Sequence, residues 1–244
     1  MKSQRQGICS TKQRVHPTVL PPTQPQQQDI YIKTYDTRNT LYTDQTGKFP
    51  HVSSRGFQYQ MILYHIDSNS IWVEPTKNRT EGELILAWSQ ALLRMKACNI
   101  TPRHQVLDNE ISATYKDAIT TSAMTYQLVP PDDHRRNIAK KAIQTWKDHF
   151  VSALSGTADN FPLHLWCQLI PQMECQLNLL RQSNSNPMIS AYAHLYGHHD
   201  YNSHPFVPIG MEALVHDKPH RRKSFAQHCT KGFVLGTSPE HYRC

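Results

Sequence analysis

The chain has 244 residues, of which 38% are hydrophobic, and it carries a formal charge of +7 with neutral histidines. That length holds one domain of ordinary size with polar tails, or two small ones. The basic balance favours a polyanionic partner, nucleic acid above all, because neutralised phosphates release counterions. The apolar runs are far shorter than the roughly 20 residues that span a bilayer, which argues against a membrane protein. The chain also lacks an apolar stretch after Met1, which argues against a secreted protein.

The first 30 residues predict a disordered Pro/Gln-rich tail or linker, because large apolar residues are few there. Residues 40–44 then predict a first strand that carries Asp44 at its end or in its middle. Residues 56–66 and 71–74, which are separated by a polar turn, predict a β-hairpin.

The following part of the chain alternates helical and strand patterns. Apolar residues at helical spacing predict a helix from Glu81 to Ala97, with Thr80 as its N-cap. A short buried strand at 105–107 ends at Asp108. The further predicted elements are helix 111–119, strand 126–129, helix 135–154, helix 162–180, and short strands near 213–216 and 232–235.

This order of elements predicts an α/β layered fold. Three strands followed by alternating helices and strands is the order of the ribonuclease H-like fold, a mixed five-stranded sheet flanked by helices. We expect that core to span residues 31–185, and residues 186–244 to form loops and a partial, small β extension.

Six dispersed cysteines form no C-x-x-C pair and no zinc-like Cys/His spacing. An intracellular protein with reduced thiols is therefore expected. Four histidines are predicted to occupy a surface loop that contains Gly and Asn, rather than a metal site. They are His194, His198, His199 and His204.

Two acidic residues lie where an α/β sheet would place a site. Asp44 belongs to the first strand, and Asp108 directly follows a buried strand. A carboxylate at such a strand end is costly unless a cation or hydrogen bonds compensate it, and ligands of open α/β sheets gather outside strand ends. From the local sequence alone, capping a turn or the next helix is the simpler role for each aspartate.

Motifs around both aspartates resemble those of integrases encoded by copia-like and related retrotransposon polyproteins. The segment 43–50 (TDQTGKFP), followed by 53–56 (SSRG), is similar to the first catalytic motif, and 107–110 (LDNE) is similar to the second. The resemblance covers roughly residues 42–244, with its motifs in order. Its other segments are 67–75, 126–131, 134–137, 161–166, 177–181, 232–236 and 241–244.

In that family three carboxylates bind two magnesium ions, which assist in-line attack on a DNA phosphodiester. The resemblance implies that Asp44 and Asp108 are the first two catalytic metal ligands, with Mg²⁺ or Mn²⁺ as the cofactor. It places the third ligand, a Glu, in the helix after residues 134–137. Lys140 occupies that position in this chain.

Lys140 deprives the expected site of its third acid. An ammonium about 4 Å from another unit cation repels it by about 4 kcal/mol at an effective dielectric of 20, and a divalent ion is repelled more. Lys140 either pairs with Asp44 and Asp108 as a tethered positive charge, or lies exposed on its helix. The apolar stripe beside it consists of Ile138, Ala142, Trp146 and Phe150. The nearest substitute acids are Glu110, Asp132 and Asp133.

Two basic clusters are candidate DNA contacts. The first lies at the start of the long helix, where free backbone N–H groups also favour phosphate. It comprises His134, Arg135, Arg136, Lys140 and Lys141. The second comprises Lys218, Arg221, Arg222 and Lys223, and a solvated surface explains it equally well.

The resemblance thus implies a DNA-binding integrase core of a retrotransposon polyprotein that is impaired or inactive in strand transfer. Two alternatives stay open: an active magnesium-dependent polynucleotidyl transferase or nuclease that uses a substitute acid, and a host-recruited DNA-binding or interaction module. DNA is the expected partner, with self-association as in integrases and neither a membrane nor a small-molecule substrate. The family also implies residence in the nucleus or in a virus-like particle.

Overall fold

A computed structural model describes residues 37–108, 111–129, 138–218, 220, 225, 227–238 and 241. From Thr37 onward the chain forms one compact unit. Within the described residues the strands are β1 Thr40–Gln45, β2 Tyr59–His65, β3 Ser70–Thr76, β4 His104–Leu107, β5 Thr125–Leu128, β6 Glu212–His216 and β7 Cys229–Phe233. The α-helices are α1 Glu81–Ala97, α2 Ala113–Thr121, α3 Ile138–Ser155, α4 Trp166–Leu180 and α5 Ala191–Tyr196, and a 3₁₀ turn at Leu163–Leu165 precedes α4.

Five strands form one mixed sheet in the order β3-β2-β1-β4-β5. The pairs β1–β2 and β2–β3 are antiparallel, whereas β1–β4 and β4–β5 are parallel. This confirms the predicted fold class, a ribonuclease H-like mixed sheet flanked by helices. β6 and β7 form a separate antiparallel pair, the small C-terminal β extension that the sequence predicts.

Helices cover both faces of the sheet, which explains why its central strands β2, β1 and β4 are almost continuously buried. On one face, α3 and α4 contribute Trp146 and Trp166 to the core. On the other, α1 and α2 contribute Trp88 and Tyr115. None of the helices in the described part of the chain is both long and apolar enough to cross a membrane.

Strand β3 is an edge of the sheet, and side chains of α4 cover its open side. The Ile71 N–H donates to Asn178 Oδ1 at 2.9 Å, and Asn178 Nδ2 donates back to the Ile71 carbonyl at 2.9 Å. The Val73 N–H donates to Glu174 Oε2 at 2.8 Å. Pro75, further along the strand, has no N–H to offer. These bonds satisfy backbone groups that an edge strand otherwise leaves open.

Glu174 also belongs to a buried ion-pair cluster that joins α1, β3 and α4. Arg94 Nη1 lies 2.7 Å from Glu74 Oε1, and Arg94 Nη2 contacts Glu174 Oε1. The guanidinium carbon lies 5.0 Å from the centre of the Trp72 ring. Burial raises the pKa of both glutamates, and Arg94 acts in the opposite direction.

Helix α3 corrects one expectation from helical periodicity. Ile138, which was expected on the buried stripe, is 38% exposed, whereas Ala139 and Ile143 are buried. Ala142, Trp146 and Phe150 of the predicted stripe are buried, and Ala139 and Ile143 lie beside them in it. Residues four apart are offset by about 40° around an α-helix, so Ile138 lies on the flank of the stripe that the later residues form.

Two further local expectations differ from the structure. His194 lies in α5 rather than in a loop, and Ser190 Oγ caps that helix by accepting the N–H of Ala193 at 3.0 Å. Thr80 is the N-cap of α1, but its hydroxyl makes no capping bond and donates to Asn78 Oδ1 at 2.5 Å. The turn before α1 thus competes successfully for the hydroxyl.

Candidate active site

Asp44 and Asp108 lie side by side at one end of the parallel pair β1–β4. Tyr42 pairs with Val106 in the register, and each aspartate lies two residues further along its chain. Since side chains alternate along a strand, both aspartates point to the face that carries Tyr42 and Val106. That face is covered by α3 and α4.

Lys140, the third residue of α3, reaches this carboxylate pair. Its Nζ lies 3.5 Å from Asp108 Oδ2, and the two side chains are 36% and 40% exposed. Lys140 thus contacts Asp108, one of the two aspartates with which it was expected to pair, while its side chain stays partly exposed. At this exposure the pair contributes only about 0–1 kcal/mol to stability, so its main effect is on the charge of the site.

Asp44 is partly buried in β1. Burial raises the pKa of its carboxyl, and the nearby Asp108 carboxylate acts in the same direction. The Gln45 N–H, which donates to Asp44 Oδ1 at 2.7 Å, lowers it, as do Lys140 and Arg79. The pKa of the Asp44 carboxyl is therefore raised by burial even though Lys140 and Arg79 lie near it.

A cavity of about 420 Å³ opens beside the two aspartates. Its wall includes Arg79 and Glu81 at the start of α1, and Ser112 at the start of α2. Ser112 Oγ donates to Glu81 Oε1 at 2.6 Å and accepts the Tyr115 N–H at 3.2 Å, which ties the two helix starts together. Arg79 Nη2 donates to the Thr46 carbonyl at 2.6 Å.

Sequence reasoning missed this wall. Ser112 follows Arg79 and Glu81 by more than thirty positions, and the two helix starts meet only because α1 and α2 pack on the same face of the sheet. No local pattern around Ser112 indicates a cavity.

The described residues do not fit the metal pair that the fold implies. Asp44 and Asp108 supply oxygen ligands of the kind Mg²⁺ prefers, but the Lys140 ammonium lies within contact distance of one of them. No three His, Cys, Asp or Glu side chains of the described residues are grouped closely enough to hold a metal ion. A cation brought to these carboxylates would meet the positive charge of Lys140.

Several expected residues fall outside the part of the chain that the structure describes. These are the DNA-binding candidates His134, Arg135 and Arg136, and the substitute acids Glu110, Asp132 and Asp133. Of the first basic cluster, Lys141 is described, and it is exposed on α3 beside Lys140. Of the second, Lys218 is described and exposed, while 221–223 lie outside the described residues.

Two of the four histidines in residues 194–204, His194 and His199, contact other side chains. His194 Nδ1 bonds to Ser183 Oγ at 2.9 Å. The His199 ring stacks on Phe206 with centroids 4.8 Å apart, and it lies 4.6 Å from the Tyr201 ring. This part of the chain is thus a small aromatic cluster that packs around His199.

No protein-family model matches the chain, and no curated protein matches it. Among solved structures, a chain of the simian T-cell lymphotropic virus intasome in complex with PP2A regulatory subunit B56 gamma is 16% identical, with a TM-score of 0.53 over 83% of this chain and 70% of that chain. The HTLV-2 integrase catalytic core in complex with magnesium, in its trimeric form, is 18% identical, with a TM-score of 0.48 over 65% of this chain and 97% of that one. The BIV integrase catalytic core is 12% identical, with a TM-score of 0.47 over 64% and 93%. The sheet order and the likeness to the intasome chain together show that this chain has the ribonuclease H-like fold of an integrase core.

Proposed function

We propose that this chain is an integrase-like core, derived from a retrotransposon polyprotein, that binds DNA but is impaired in strand transfer because Lys140 takes the place of the third catalytic carboxylate. The observation that carries the proposal is the 3.5 Å approach of Lys140 Nζ to Asp108 Oδ2, beside Asp44. A lysine on the flank of α3 that faced solvent would not support it. The structural likeness to the intasome chain, at 16% identity, supports the fold alone.

The charge at the site explains the expected loss of activity. Replacing a carboxylate by an ammonium changes the local charge by two units. At about 4 Å and an effective dielectric of 20, Lys140 repels a unit cation by about 4 kcal/mol, and a divalent ion by about twice as much. Solvent screens part of this repulsion, since the Lys140 side chain is 36% exposed. Each 1.4 kcal/mol that remains lowers the affinity for a divalent ion tenfold.

DNA binding depends less on the lost acid. Lys141 is exposed next to Lys140, and Arg79 is exposed at the cavity beside Asp44. Cationic side chains at the start of a helix hold phosphate together with the free N–H groups of its first turn. We therefore propose that the same end of the sheet holds DNA phosphates without a metal ion. Self-association, and residence in the nucleus or in a virus-like particle, are further proposals that follow from the family resemblance.

The test compares magnesium- or manganese-dependent strand transfer and nicking of an oligonucleotide by the natural chain and by Lys140→Glu. We expect the natural chain to be silent and Lys140→Glu to gain activity, which Asp44→Asn should then abolish. Lys141→Glu is the matched control, because it makes the same charge change one residue further along α3. A thermal shift with Mn²⁺ should appear in Lys140→Glu and in neither other protein.

Activity of the natural chain that is lost in Asp44→Asn would overturn the proposed impairment, and a substitute acid would then have to be found among Glu110, Asp132 and Asp133. If both proteins are silent and the natural chain still binds DNA with a steep salt dependence, a host-recruited DNA-binding module is the better description. If the natural chain does not bind DNA at all, the proposal as a whole is wrong.

A further inference from the structure

The β6–β7 hairpin, residues Glu212–Phe233, is anchored at its base and closed by hydrogen bonds at its far end. At the base, Phe233 packs edge-on against Phe161 with ring centroids 5.4 Å apart. Beyond the last strand pair, the Asp217 N–H donates to the His228 carbonyl at 2.8 Å, and Thr230 Oγ1 donates to Asp217 Oδ1 at 3.2 Å. The two strands are therefore held in register up to the turn that joins them.

Positive charge is concentrated in this hairpin. From Glu212 to Phe233 the sequence has five Lys or Arg residues and two acidic residues, Glu212 and Asp217, so these 22 residues carry +3 of the +7 net charge of the chain. Among the described residues of the hairpin, Lys218 and Lys231 are exposed. Three histidines of the hairpin are exposed as well: His216, His220 and His228.

Phe225, in the turn of the hairpin, is fully exposed to solvent. Its backbone has φ of +68°, a left-handed conformation that a bulky residue adopts rarely and at a cost of about 1–3 kcal/mol. The ring of Phe225 thus lies in solvent, on a strained backbone and within a basic sequence. Packing against the protein, which normally explains a surface phenylalanine, does not explain this one. Aromatic rings interleaved with cations are the surface on which unpaired bases stack while their phosphates are neutralised.

We propose that the β6–β7 hairpin is a second DNA-contacting element, in which Phe225 stacks on an unpaired base while Lys218 and Lys231 contact the flanking phosphates. This inference rests on the proposed function, because it requires that the chain binds DNA. It adds a contact outside the aspartate site, and this contact is with unpaired bases. Base stacking on an aromatic ring contributes about 1–3 kcal/mol. An anionic membrane is the weaker alternative, since each lysine near its surface adds about 1 kcal/mol and a single ring inserts little apolar area.

The test measures binding of the full chain by fluorescence anisotropy to a blunt duplex and to the same duplex with an unpaired overhang. Phe225→Leu keeps an apolar side chain and removes the aromatic face. We expect it to weaken binding to the overhang DNA about 5- to 100-fold and to leave binding to the blunt duplex unchanged. A salt titration of Lys218→Gln/Lys231→Gln should give a log–log slope that is less negative by about 1.8. Lys77→Gln/Lys96→Gln, two exposed lysines outside the hairpin, should leave the slope unchanged.

The outcomes separate the two proposals. If the natural chain binds both DNAs and the hairpin variants bind them equally well, the hairpin inference is wrong while the proposed function stands. If the natural chain binds neither DNA, both fail. Loss of binding to phosphatidylserine vesicles in Lys218→Gln/Lys231→Gln, with DNA binding unchanged, would assign the hairpin to a lipid surface and overturn the inference.

Discussion

Removing the cation of the cluster formed by Arg94, Glu74 and Glu174 should destabilise the fold strongly. Arg94→Met keeps most of the side-chain volume but leaves two carboxylates that are only 8% and 6% exposed. Breaking a buried ion pair costs about 3–5 kcal/mol, because a buried charge is left uncompensated. The Arg94 side chain is itself 39% exposed, and solvent screening therefore places the expected cost near the lower end, about 3 kcal/mol.

The assay is urea unfolding followed by tryptophan fluorescence at pH 8 and pH 5. For an m-value of about 2 kcal/mol/M, a loss of 3 kcal/mol lowers the midpoint by about 1.5 M. In the variant the folded-state pKa of both glutamates rises further above the unfolded value, so the folded state binds more protons. The stability of the variant therefore falls as pH rises. The difference in the free energy of unfolding between the natural chain and the variant should be larger at pH 8 than at pH 5.

Lys96→Met is the matched control for this experiment, since it removes an exposed cation from the same helix. It should change the free energy of unfolding by less than about 0.5 kcal/mol. The double variant Arg94→Met/Glu174→Gln should recover part of the loss, because the amide oxygen can still accept the Val73 N–H. If Arg94→Met costs no more than Lys96→Met at pH 8, the cluster is not the buried charge pair described above.

Two further predictions concern a buried histidine and a glycine. Burial lowers the pKa of His65 to about 4, so the unfolded state binds the extra proton and stability is lost as pH falls from about 6.5 to about 4, by at most about 3 kcal/mol. Urea unfolding over this range should show a flatter pH profile for His65→Gln than for the natural chain, and equal profiles would refute this role of His65. Gly210 has φ of +71°, and an added Cβ would lie 2.3 Å from Thr157 Cγ2, so Gly210→Ala should lower the thermal midpoint with a cost of about 1–3 kcal/mol. Gly82→Ala, where a Cβ meets nothing within 4 Å, should be stabilising by up to about 1 kcal/mol, and equal effects of the two changes would contradict this reasoning.

The strands were predictable from local sequence patterns, whereas the two aspartates were singled out by the resemblance of the motifs around them. Polar/apolar patterning and turns located β1 to β5, and parallel strands that end at the same edge bring Asp44 and Asp108 together. The contact between Lys140 and Asp108 was only one of two expected arrangements. Spacing fixes where a residue lies around a helix, but not which residues on the flank of the buried stripe are covered, as the exposure of Ile138 illustrates.

Other features depend on tertiary contacts that no local pattern encodes. Helix α5 has six residues, fewer than two turns, and so shows too little periodicity to be recognised. The wall formed by Arg79, Glu81 and Ser112 joins two helix starts that are far apart in the chain. Asn178 and Glu174 fit a helical pattern as ordinary polar residues, and nothing in the sequence indicates that they bond to the edge of β3.

That edge has a consequence for how the chain is made. Ile71 and Val73 precede Asn178 and Glu174 by 107 and 101 positions. At a synthesis rate of about 5–20 residues per second, β3 leaves the ribosome about 5–20 s before the side chains that cover it. During that interval the strand offers open backbone groups to neighbouring nascent chains. A product that stops before residue 166 retains the two aspartates but lacks α4, and it should therefore be prone to precipitate during expression.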